Sequence, residues 1–247
     1  MKLIDSLHEN LERLKLDYLR EHCEEAAKKA ARNGTSHLDF FADLISGQRH
    51  RLEERGIKRR IANARLPFIK TLDTFDWTHP HTINRQQVQD LFHLRFLAEH
   101  RNVVFVGPTG LGKTHLAIAL DHHSCTKGQR VLYSLASDII NHLVAAQQEN
   151  CFARELRKFV RPEILHIDEV GYLPIDQQGA DILFQVISQR YERASTIVTT
   201  NRRFKEWPKT FNNDSVLASA LLDRLLHRAE VVLIEGESYR MTGEKKE

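Results

Sequence analysis

The chain has 247 residues, 41% hydrophobic and 28% charged with 11 Gly and 6 Pro, which suits one sizeable α/β core plus an appendage and excludes disordered and fibrous classes. Its formal net charge is +3, yet Arg49 to Lys70 holds eight Lys/Arg against two Glu, so the basicity is local. No apolar run approaches the roughly 18 residues of a membrane span, and Cys23, Cys125 and Cys151 form no C-x-x-C pair, so a cytoplasmic protein with reduced thiols and no membrane partner is expected.

Residues 1 to about 65 read as all helix. Ile4, Leu7, Leu11, Leu14 and Tyr18 recur at spacings of three and four, and Asn33-Gly34 ends that stretch. Ser36, three residues before Asp39, is placed to cap a second helix through Leu44, Ile45 and Leu52. The apolar stripe serves a helical-hairpin core or a partner-binding face. Arg65-Leu66-Pro67-Phe68 breaks the pattern, and Lys70 to Trp77 reads as an extended linker. The boundary therefore falls between a helical N-terminal domain for partner or DNA interaction, 1–66, and a second domain, 67–247.

From there the pattern is α/β. A helix is predicted over Arg85–Ala98, then an apolar strand, Asn102–Val106, a glycine loop and another helix. Arg130–Leu135, Ile164–Ile167, Thr196–Thr200 and Val231–Ile234 are further strands separated by helical stretches, which predicts a five-stranded parallel sheet covered on both faces.

Gly107-Pro108-Thr109-Gly110-Leu111-Gly112-Lys113-Thr114 fits the phosphate-binding pattern G-x-x-x-x-G-K-[ST] between a strand and a helix. Its glycines let backbone N–H groups turn toward a β-phosphate, and the helix adds its positive end. Lys113 is expected to reach the β- and γ-phosphates and Thr114 to ligate Mg²⁺, with His115 completing the nucleotide-binding run. Glu163 to Glu169 is a mostly apolar strand expected to deliver Asp168 and Glu169 beside that loop: Asp168 to hold Mg²⁺ through water, Glu169 to orient and deprotonate the attacking water. ATP, Mg²⁺ and hydrolysis to ADP and phosphate are the implied chemistry. His166, inside the strand, reads as packed rather than catalytic.

Asn201 ends the strand Thr196–Thr200, where its amide serves to hold the attacking water or sense the γ-phosphate, or simply makes a turn. Arg224, on the helix before the last strand, either reaches a neighbour's γ-phosphate or pairs locally with Asp223 or Glu230. Arg154, Arg157, Lys158 and Arg161 share one helix face, which suits phosphate-backbone contact or a solvated face balanced by Glu155. Arg55, Lys58, Arg59 and Arg60 form a second basic cluster. Asp121-His122-His123-Ser124-Cys125 offers metal-ligand types, but consecutive helical side chains diverge.

The run Gly107–Leu116, Asp168-Glu169-Val170-Gly171-Tyr172-Leu173-Pro174, and Ile197–Asn201 with Phe204-Lys205-Glu206-Trp207 after it together resemble the IstB family of transposition helper ATPases. Arg65 to Trp77 and Glu235-Gly236-Glu237-Ser238-Tyr239-Arg240 resemble that family's linker and tail. The resemblance implies an AAA+ P-loop fold similar to DnaC and DnaA, with a reduced or absent C-terminal lid. It also implies homo-oligomers that assemble with ATP on duplex DNA, bend it and recruit or stimulate a cognate transposase, hydrolysis resetting the assembly. By the same resemblance Lys113 and Thr114 hold nucleotide, Asp168 and Glu169 serve hydrolysis, Asn201 is the sensor, Arg224 acts in trans, and Arg240 is a candidate second sensor. A DnaC-like helicase loader shares every ATPase motif and differs in what its N-terminal helices grip, and an assembly module that binds ATP without hydrolysing it shares the loop.

Overall fold

The structure is a computed structural model and describes residues 2–80, 82–236 and 238–239. The chain folds as two compact units, Met1–Arg59 and Arg60–Glu247.

The first unit is built from α1 (Lys2–Arg13), α2 (Asp17–Asn33) and most of α3 (His37–Ala64). The helical stretch expected to run unbroken to Asn33 turns at Lys15, whose φ of 58° takes it out of the right-handed helix. The apolar stripe divides accordingly. Leu11 packs with Leu19, Cys23 and Leu44, whereas Ile4, Leu7 and Leu14 stay exposed. Ser36 caps α3, its Oγ accepting from the Asp39 amide at 3.1 Å. Buried Gln48 does the same for α2, accepting from the amides of Tyr18 and Leu19. Within this unit Arg55 pairs with Asp17 at 2.5 Å, while Lys58 and Arg59 are exposed.

In the second unit the end of α3 packs through Ile61 and Ala64, and Arg60 donates to the Cys125 carbonyl at 2.8 Å. The linker contains a 3₁₀ turn, Leu72–Thr74, in which the Thr74 hydroxyl donates to the Thr71 carbonyl. Next come β1 (Thr82–Ile83), α4 (Arg85–Leu91) and α5 (Arg95–Ala98); the single helix predicted here is broken at Leu94, φ 56°. After these come β2 (Val103–Val106), α6 (Lys113–Thr126), β3 (Val131–Leu135), α7 (Ala136–Gln148), α8 (Phe152–Val160) and β4 (Ile164–Val170). The unit continues with α9 (Gln177–Arg190), β5 (Ser195–Thr200), α10 (Trp207–Thr210), α11 (Ser215–Leu226) and β6 (Glu230–Glu235).

The strands lie in the order β1-β6-β2-β5-β4-β3. The five predicted strands are all present and mutually parallel; the sheet gains a sixth, the antiparallel pair Thr82–Ile83 against Ile234–Glu235. Two residues are too few to show alternation, so this edge strand had no sequence signal. Alternate residues of β2 point to opposite faces: Val104 and Val106 join the core with α7, α9 and α11, and Val103 and Phe105 join the core with α4 and α6. Both faces are thus covered, as a parallel sheet requires. The expectation of a reduced lid concerns the chain after β6, where only Gly236, Ser238 and Tyr239 are described; Arg240 and Glu237 lie outside the described residues.

β4 does not neighbour the glycine-loop strand, because β5 is inserted between β2 and β4, yet Asp168 still reaches the loop at Thr114, as expected. Parallel strands need crossovers rather than sequential pairing, so adjacency in sequence did not specify adjacency in the sheet.

Candidate functional site

The glycine loop leaves the C-terminal end of β2 and enters α6. Gly110 and Gly112 take φ of 83° and 82°, a region that strains other residues, and a Cβ on Gly112 would come within 2.6 Å of the Phe75 ring. The turn therefore lets successive amides face one side above the α6 N-terminus, where the helix dipole is positive. Lys113 is buried and its Nζ donates to the Pro108 carbonyl at 2.7 Å, so the ammonium lies folded across the loop. His115 sits edge-on to Phe75, with its Nε2 3.2 Å from the Thr71 carbonyl; burial lowers its pKa. The Tyr239 amide donates to the Gly110 carbonyl at 3.0 Å, bringing the tail onto the loop.

Asp168 is buried at the end of β4. Its Oδ1 accepts from the Thr114 hydroxyl at 3.1 Å and from the Thr199 hydroxyl, and its Oδ2 accepts from Tyr133 Oη at 2.9 Å. Burial pulls the carboxyl upward, but His166, Thr199 and Tyr133 outweigh it and hold the group below the usual carboxylate range. Asp168 is therefore an anion. Tyr133 is pushed upward, first by burial and then by the Asp168 charge, and stays a neutral donor.

The register between β4 and β5 slips by one residue at Asp168-Glu169: Ile167 pairs with Val198, and Val170 with Thr200. Glu169 takes φ 59° in this bulge and its amide donates to Thr199 Oγ1 at 3.0 Å. The bulge breaks the strand alternation, so Asp168 is buried while Glu169 is exposed.

Asn201 comes directly after β5, and its buried Oδ1 has no hydrogen-bond partner among the described residues. Gly110, Leu111, Gly112, Lys113, Thr114, His115, Asp168, Glu169 and Asn201 line one cavity of about 600 Å³, closed on another side by Phe68, Phe75 and Tyr239. That volume lies within the range of small-molecule sites. Gly107 anchors the loop below it, its amide donating to the Thr200 carbonyl at 3.2 Å, and Thr109 joins the lining. Thr114 and Asp168 are the pair that could hold a divalent cation, since both present oxygens.

Arg224 does not enter this cavity. Its guanidinium lies over the Phe184 ring at 4.7 Å and donates to the Ala220 carbonyl, while Glu230 is taken by Arg101 at 2.5 Å. On the α8 face Arg154 and Lys158 are paired with Glu155, leaving Arg157 and Arg161 exposed. Asp121 pairs with His166, not with its histidine neighbours in sequence.

Tyr133, Thr199 and the Asp121–His166 pair were missed by sequence reasoning. Thr199 carried a weak signal, a hydroxyl two residues before Asn201; the others needed the fold.

The sequence pattern of the family described as IstB-like ATP binding protein matches residues 9–247. The chain belongs to the IstB-like family. A Pseudomonas aeruginosa relative, described as an ATP-binding protein of insertion sequence IS21, is 39% identical over 96% of this chain and 89% of its own. A Geobacillus stearothermophilus relative from insertion sequence IS5376 is also 39% identical, over 96% and 94%. Among solved structures, the DnaC helicase loader aligns with a TM-score of 0.54 and 25% identity, over 67% of this chain and 96% of that one. AMPPCP-bound DnaA from Aquifex aeolicus aligns at 0.57 with 20% identity over 69% of this chain, which spans about half of the DnaA chain (51%). This IstB-like chain thus carries the expected AAA+ fold, with the added edge strand. No helix among the described residues is long and apolar enough to cross a membrane.

Proposed function

We propose that the chain is an ATP-dependent DNA-binding helper of an insertion-sequence transposase, hydrolysing ATP with Mg²⁺ to reset an assembly on target duplex DNA. The observation that carries the chemistry is the convergence of Lys113, Thr114, Asp168, Glu169 and Asn201 on one cavity at the strand tips. The insertion-sequence relatives support the biological setting.

Lys113 binds phosphate oxygens once its Nζ leaves the Pro108 carbonyl, and the loop amides hold the β-phosphate. When bound, Mg²⁺ neutralises the charge that builds on the phosphate oxygens. Thr114 and, through water, Asp168 would hold it. Glu169, exposed at the bulge, takes the proton of the attacking water, and Asn201 Oδ1 accepts a hydrogen bond that orients that water. Cation contact with duplex DNA falls to the exposed Arg157 and Arg161 and to Lys58 and Arg59.

Replacing Glu169 with Gln should lower phosphate release about a hundredfold or more while nucleotide affinity stays near wild type. Retained turnover would sink the assignment of Glu169 as the base. Duplex binding should require ATP or a non-hydrolysable analogue, and DNA retention that ignores nucleotide would refute the helper reading. The resemblance to DnaC supports a second reading, a helicase loader, which pull-down of a hexameric helicase without transposase would favour.

A further inference from the structure

Two side chains on α6 face two on β4. Thr114 and Asp121 are seven residues apart, two turns of helix, and so share a face. His166 and Asp168 are two residues apart on a strand and share a face as well. The four meet in pairs: Thr114 Oγ1 donates to Asp168 Oδ1 at 3.1 Å, and His166 Nδ1 lies 2.5 Å from Asp121 Oδ2. Helix and strand are thus joined by two polar rungs. Along the strand, His166 Nε2 lies 3.7 Å from Asp168 Oδ1.

The lower rung is costly. Both His166 and Asp121 are fully buried, and His166 Nε2 and Asp121 Oδ1 lack hydrogen-bond partners among the described residues. A leucine at each position would fill a layer between α6 and β4 without that penalty. Tyr133 braces the ring from β3, edge-on at 5.0 Å, and spends its hydroxyl on Asp168. Both the ring and its brace thus lead to the one carboxylate.

We propose that Asp121 and His166 are positioning residues, a buried rung that holds the Asp168 carboxylate in place beside Thr114, the two groups that would hold a divalent cation. This rests on the reading that Thr114 and Asp168 hold Mg²⁺ with ATP. His166 touches neither nucleotide nor metal in this scheme; it acts through Asp168.

The test uses the full chain and a fluorescent mant-ATP probe, titrated in EDTA and across a Mg²⁺ series, with thermal unfolding alongside. His166→Leu alone should lower Tm, because it leaves the Asp121 carboxylate buried and unpaired. Asp121→Leu combined with His166→Leu should recover most of that loss, since the replaced pair no longer strands a charge. Yet the double variant should need about tenfold more Mg²⁺ for half-maximal probe binding, as outer partners of metal ligands typically do when lost, with affinity in EDTA unchanged. A double variant with wild-type Mg²⁺ dependence, or one whose affinity in EDTA falls as far as it does with Mg²⁺, would overturn the proposal. Should the double variant fail to fold, the isosteric Asp121→Asn carries the same test with the same two outcomes. Wild-type binding that ignores Mg²⁺ would overturn the metal-site reading itself. A wild-type response kept intact in the double variant overturns the positioning role alone.

Discussion

Glu155 sits beneath three donors on and beside α8: Lys158 at 2.5 Å, His142 at 2.7 Å and Arg154 at 3.0 Å. Its carboxyl, ordinarily near 4.5, is held at about 2, by Lys158 first, then His142, against burial, with Arg154 assisting. A folded value below the unfolded one means that the stabilisation is complete above the unfolded value and is lost as pH falls toward the folded one. The Tm gap between wild type and Glu155→Gln should therefore be full at neutral pH and close as pH drops from about 4.5 to about 2. A gap that widened on acidification would contradict this assignment. The same pairing removes Arg154 and Lys158 from any simple count of DNA-facing cations, and agrees with the sequence alternative of a face balanced by Glu155.

At the scale of elements, the join between β4 and β5 depends on one residue from α9. Arg190 is buried, and its guanidinium donates to the carbonyls of Phe159, Val160, Pro162 and Ser195 and to Thr196 Oγ1. Burial alone lowers it to about 9, so it remains charged at neutral pH. The carbonyls it serves come from the segment entering β4 and the start of β5, at the end of the strands opposite the nucleotide cavity. Arg190→Met should leave several buried acceptors unpaired and cost about 3 kcal/mol or more by urea denaturation. The nucleotide affinity of its folded fraction should match wild type. A loss of under about 1 kcal/mol would show that the acceptors find water instead.

For the whole molecule, the position of Arg224 gives the sharpest expectation. It lies outside the chain's own cavity, on α11 against Phe184, so under the proposed assembly any part it takes in hydrolysis would be played on a neighbouring copy. Glu169→Gln and Arg224→Ala should each be inactive alone. Mixed in equal amounts they should recover up to about a quarter of wild-type turnover, the share of interfaces where an intact Glu169 meets an intact Arg224. A mixture as inactive as its parts would remove Arg224 from the site.

What the sequence determined by itself was everything carried by local spacing. The loop Gly107–Thr114, the five strands and the cap at Ser36 are written in residues a few positions apart, where backbone conformation and pattern act directly, and the family in several such short motifs taken together. The tertiary structure alone decided which distant residues meet. It placed β5 between β2 and β4, so that Thr199 reaches Asp168, and it added β1, too short to show a period. It set Asp121 against His166 across 45 positions, turning a histidine that read as packing into half of a buried pair. These contacts depend on the crossover order of the sheet and on the face each helix presents, and neither has a counterpart in local sequence.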